Sequence, residues 1–164
     1  MKNITLYFFA FIASTTLFAQ RDIPCNDLKI MLDDALSKHH DDKTVLIETN
    51  EYTGITEYKY HLDLSAWAVS SAIKEMEFEH GKVKSWGEVL VFQAESKDSA
   101  IVYADFVKKE LQECFTHGVD KTHKAGTEGR DYSFVFMIHN QASWTEIELF
   151  VNHTGEEYHV YLIF

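Results

Sequence analysis

Two stretches of the chain repeat their apolar residues at helical spacing, and most of the remainder alternates like strands. From Cys25 to His39, the residues Leu28, Met31, Leu32, Ala35 and Leu36 fall three and four apart. That stripe predicts a helix with one buried side. Pro24 suits a first helical turn, Asn26-Asp27 suit the positive end, and His39-His40 suit the negative end. A second stripe runs from Asp98 to Phe115 through Ala100, Tyr103, Ala104, Val107, Leu111, Cys114 and Phe115. Ser96 or Asp98 can cap it and Gly118 can stop it.

Six further segments read as strands, being rich in β-branched and aromatic residues. They are Thr44 to Thr49, Tyr58 to Leu62, Glu88 to Ala94, Ser133 to His139, Thr145 to Val151 and Tyr158 to Phe164. A turn at Tyr52-Thr53-Gly54 separates the first two, and Asn152 to Glu156 makes a hairpin loop between the last two. Residues 68–79 carry both patterns. Ala66, Val69, Ile73 and Met76 suit a helix, whereas Glu75 to Glu79 alternate, and the alternation favours a strand turning at His80-Gly81. The expected class is therefore α+β: a mainly antiparallel sheet with two helices packed on one face. A helix followed by a meander occurs twice, which hints at an αβββ pseudo-repeat.

The strands 133–139 and 158–164 are apolar on both alternating sets. One set can meet the helices, and the other needs a cover: sheet curvature, a partner chain or a ligand. Val135, Met137, Tyr161 and Ile163 are the candidates for such a binding surface.

Residues 1–19 have another pattern. Lys2 precedes an apolar run from Ile4 to Leu17, and Ala19 precedes Gln20. This predicts a signal peptide cleaved between Ala19 and Gln20, followed by one domain over residues 20–164. The run is short of the roughly 20 apolar residues of a membrane span, so no stable membrane insertion is expected once the signal is removed. Removing 19 of 164 residues leaves 145, a single-domain length, with the one proline at position 24 and no Ser/Gly-rich linker.

Charge and cysteines narrow the setting. The formal charge is −11, a balance that disfavours nucleic acid and anionic lipid and favours basic partners. Export exposes Cys25 and Cys114 to an oxidising space, periplasmic or extracellular, so the sequence predicts a disulfide between them. Both lie on predicted apolar helix faces, one at a helix start and one at a helix end, which suits antiparallel neighbours.

No residue set points to catalysis, a cofactor or a metal. The chain lacks a P-loop, a dinucleotide glycine fingerprint, HExxH, GxSxG and an EF-hand loop. Ser71-Ala72-Ile73-Lys74 matches S-x-x-K without its companion motifs. His39-His40-Asp41-Asp42 and His153 with Glu156 have donor atoms but no convergent spacing. The acid sets Glu75, Glu77, Glu79 and Glu146, Glu148 read first as solvated strand faces. Residues 121–130 form one basic, glycine-bearing stretch, in which Lys121, Lys124 and Arg130 could grip an anion. Trp67, Trp86 and Trp144 are core anchors or platforms. The expected function is a noncatalytic envelope binding protein that holds a basic protein partner or forms a homodimer through a sheet face. The alternative is a small envelope hydrolase with an unrecognised His/Glu site.

Overall fold

The computed structural model describes residues 22–36, 46–60, 62–78, 81–115, 119–122, 130–140 and 143–164. The predicted signal segment with Ala19 and Gln20, the His39–Asp42 cluster, Gly118 and Lys124 lie outside the described residues.

Helix α1 spans Cys25–Leu36. The Pro24 carbonyl accepts from the Asp27 and Leu28 amides at its start, and Leu28, Met31 and Leu32 are buried. Strands β1 (Leu46–Asn50), β2 (Ile55–Lys59), β3 (Ser70–Phe78) and β4 (Lys82–Ala94) follow. Helix α2 spans Lys97–Cys114. Ser96 caps it, its side chain accepting from the Ser99 amide, and Ala100, Tyr103, Ala104, Val107 and Leu111 form the buried stripe. Strands β5 (Val119–Thr122), β6 (Arg130–Asn140), β7 (Ser143–Thr154) and β8 (Glu157–Ile163) complete the chain.

The eight strands among the described residues join one antiparallel sheet in the order β1-β2-β3-β4-β8-β7-β6-β5. The class is α+β. Helix α2 lies against β4, β6, β7 and β8, and α1 lies against α2 and β4. The disulfide Cys25–Cys114 joins the start of α1 to the end of α2, with the Cα atoms 5.3 Å apart and 89 residues between them in sequence.

Several boundaries differ from the sequence reading. The segment expected at Tyr58 to Leu62 begins earlier, at Ile55, because the turn before it is tight. There the Asn50 side chain accepts from the amides of Tyr52 and Thr53, and Gly54 takes a φ of 67°, which favours glycine. Tyr60 and Leu64 then turn inward and are buried. Strand β4 starts at Lys82 rather than Glu88, since pairing with β3 carries a polar, exposed stretch into the sheet. The extra strand β5 has only four residues, too few to show a period.

Register divides the sheet into two faces, because directly paired antiparallel residues point to the same side. The first face carries Ile73, Val89, Phe134, Phe136, Ile147, Leu149, Val151, Val160 and Leu162. These residues form one hydrophobic cluster with the buried stripes of both helices. Trp67 joins that cluster at 1% exposure, and its Nε1 donates to Asp27 Oδ2 at 2.9 Å. A buried indole N–H thereby finds an acceptor on α1.

Candidate functional site

The second face is built on the pairs that flank β8. Ile163 pairs with Glu88 on one side and Glu148 on the other; Tyr161 pairs with Leu90 and Phe150. Charged side chains on this face are largely matched. Lys74 Nζ lies 2.7 Å from Glu88 Oε1 and 3.2 Å from Glu57 Oε1. Burial alone would lower the Lys74 pKa, but hydrogen bonds and charge from Glu88 and Glu57 outweigh it and hold it above the usual lysine value. The Arg130 guanidinium bonds Glu148 and sits 4.3 Å over the Phe150 ring. Ser133 Oγ donates to the same Glu148 oxygen at 3.2 Å. Phe150 stacks on Tyr161 with ring centroids 5.2 Å apart.

Beside this network lies a cleft of about 620 Å³, lined by side chains that include Lys84, Trp86, Glu88, Glu146, Glu148 and Ile163. At its edge Phe164 exchanges both backbone bonds with Gly87 at 3.0 and 3.2 Å. Ser85 and Phe164 also line the cleft, although register puts them on the first face. The cleft is therefore lined by residues of both faces. Ser85 Oγ is buried without a hydrogen-bond partner among the described residues, and Glu146 is exposed on the cleft wall. A second cleft of about 410 Å³ lies at the turn after β2, lined by residues such as Lys59, Asp63, Ser65 and Ser71.

Val135, Met137, Tyr161, Ile163 and Arg130 share the second face by register. They do not form a bare apolar patch. Val135 is buried at 4%, and Met137, Tyr161 and Ile163 are half-buried. Arg130 opens β6 and reaches Glu148, so it is a strand cation with a partner and not a loop cation. Lys121 belongs to β5, where it pairs with Val135.

Other sequence signals separate in space. Ser71 pairs with Val89 and Lys74 with Trp86, so the S-x-x-K residues point to opposite faces and cannot act as a nucleophile and base. Among the described residues no group of three or more His, Cys, Asp or Glu could hold a metal ion. His153 stacks on Tyr158 with centroids 4.5 Å apart. One row of possible chemistry remains on β8: Glu157 Oε2 lies 3.2 Å from His159 Nε2, and His159 Nδ1 lies 3.2 Å from the Tyr161 hydroxyl. Burial, and then the Glu88 charge, push the Tyr161 hydroxyl above its usual pKa, which opposes use as a nucleophile.

The sequence reading treated Trp86, Glu88 and Glu146 separately and never placed them together. Their one signal was the Glu146–Glu148 alternation, which two-residue periodicity assigns to a single face. Comparisons with protein-family models, with curated proteins and with solved structures find no match.

Proposed function

We propose that this protein is exported to the cell envelope, periplasmic or secreted, and acts there without catalysis by holding a basic protein partner on the second face of its sheet. The supporting observation is the cleft of about 620 Å³, lined on this face by Trp86 and by the carboxylates of Glu88, Glu146 and Glu148. The formal charge of −11 would steer a basic partner toward it. The disulfide suits an oxidising space. Among the described residues no helix is long and apolar enough to cross a membrane. In this reading the two helices cover one sheet face and leave the other for binding. On the same reading the αβββ pseudo-repeat expected from the sequence gains β5 and becomes αββββ, its halves α1–β4 and α2–β8 meeting at the β4–β8 seam.

The test is cross-linking of the purified protein in envelope extract, comparing wild type with a Trp86→Ala/Glu146→Gln variant. Partners captured by the wild type and lost from the variant support the reading. An identical set of partners in both rejects it. Sedimentation of the purified protein separates a hetero-partner from a homodimer.

A second reading, a small envelope hydrolase, draws on the Glu157–His159–Tyr161 row. Turnover of a chromogenic ester or glycoside that His159→Gln abolishes would favour it.

A further inference from the structure

The disulfide crosses a seam of like charge. Cys114 ends α2, and the half-buried Glu110 lies one turn before it on the same helix face. Asp22 stands three residues before Cys25, so joining the two cysteines brings Asp22 toward Glu110. Burial, then the charge of Glu113, then that of Asp22 push the Glu110 carboxyl above its usual range, with Lys109 acting against them. Lys109 itself lies 3.8 Å from Glu113, and the last turn of α2 holds no basic residue. The ion pairs among the described residues leave Glu110 without a cation.

The two helices differ in how firmly they are held. Helix α2 buries five side chains and lies against β4, β6, β7 and β8. Helix α1 lies against α2 and β4, and its described side chains in the core are Leu28, Met31 and Leu32. Ile23 enters the core just ahead of it, and Asp27 adds the bond to the Trp67 indole. Without α1, the contacts of α2 with the sheet would persist. Access matters too. Cys25 is exposed and Cys114 half-buried, so an external thiolate can reach the bond, and accessible disulfides are the labile ones.

We infer that Cys25–Cys114 is a redox latch: on reduction by an external dithiol, α1 lifts from α2 and β4 and uncovers Trp67, while α2 and the sheet stay folded. In the exchange, one thiolate of the reductant attacks the Cys25 sulfur and Cys114 leaves as a thiolate. The second sulfur of the reductant then displaces Cys25 and closes a disulfide of its own. Two electrons and two protons pass from the dithiol to the cysteines. Once the covalent bond is gone, the like charges of Asp22, Glu110 and Glu113 favour the open seam. The latch lies on the helical side and does not depend on what the second face binds.

The test adds dithiothreitol to the intact oxidised protein at low salt and follows hydrogen exchange by NMR. Reduction should cut the protection of the Met31 and Leu32 amides at least about tenfold and speed exchange of the Trp67 indole N–H. Leu149 and Leu162 should change less than about twofold. In the reduced protein, Glu110→Gln or about 0.5 M salt should raise the α1 protection again by about threefold. Four results overturn the inference. The first is a bond that dithiothreitol does not reduce in the native protein. The second is α1 protection unchanged by reduction. The third is loss of protection in α1, α2 and the sheet together, which makes the bond a staple of the whole fold. The last is release of α1 that neither Glu110→Gln nor salt alters, which removes the like-charge drive.

Discussion

The two faces of the sheet use similar strands for different ends. On the first face, Val89, Ile147, Leu149, Val160 and Leu162 are fully buried within one apolar cluster. On the second, Leu90, Val135 and Phe150 are nearly as buried, yet their neighbours are Arg130, Lys74, Glu88 and Glu148, joined in ion pairs. Long charged side chains can cover apolar surface with their stems while the heads stay wet. The second face is thus covered in part by its own charged side chains.

If this contrast is right, mutations should separate the faces by size of effect. The largest loss belongs to the first face. Phe136→Ala, at a position 1% exposed, should cost about 3–5 kcal/mol in urea unfolding. The helix link comes next. Cys25→Ser or Cys114→Ser opens an 89-residue separation and should cost about 2–5 kcal/mol. A midpoint unchanged by either serine would mean that the helices need no tie.

The ion-paired network should lose less. Lys74→Met leaves Glu57 and Glu88 without their shared cation and should cost about 1–3 kcal/mol. The pH dependence gives a sharper test. The folded Lys74 pKa lies above the ordinary value of 10.5, so its contribution is fully present below that value. It should disappear as pH rises through the folded pKa. The stability gap between wild type and Lys74→Met should therefore be flat from neutral to mildly alkaline pH and close only above the lysine range. A gap that closes at neutral pH would contradict the pairing. The smallest effect belongs to Glu146→Gln, an exposed position on the cleft wall, at under about 0.5 kcal/mol.

Much of the first face could be read from the sequence. The helix stripes put Leu28, Met31, Val107 and Leu111 inside, and all four are buried. The strand alternation grouped Phe134 with Phe136 and Val160 with Leu162 but left open which face is inward, and the structure buries all four. The second face was legible only as a contradiction, apolar residues with no cover in view. Its cover comes from Arg130 reaching Glu148 and from Lys74 reaching Glu88, contacts across 18 and 14 residues. No local period encodes such pairs. The cleft was hidden for a related reason. It depends on β4 beginning at Lys82, and the exposed residues Lys82 to Lys84 show no strand signal until β3 pairs with them.

The most direct measurement is a double-mutant cycle in urea unfolding between Arg130→Met and Glu148→Gln, the ion pair that covers Phe150 on the second face. A second face held by its own charged side chains predicts a coupling of at least about 0.5 kcal/mol between the two. Additive losses would mean that the pair does not act together, and the contrast drawn between the two faces would be wrong.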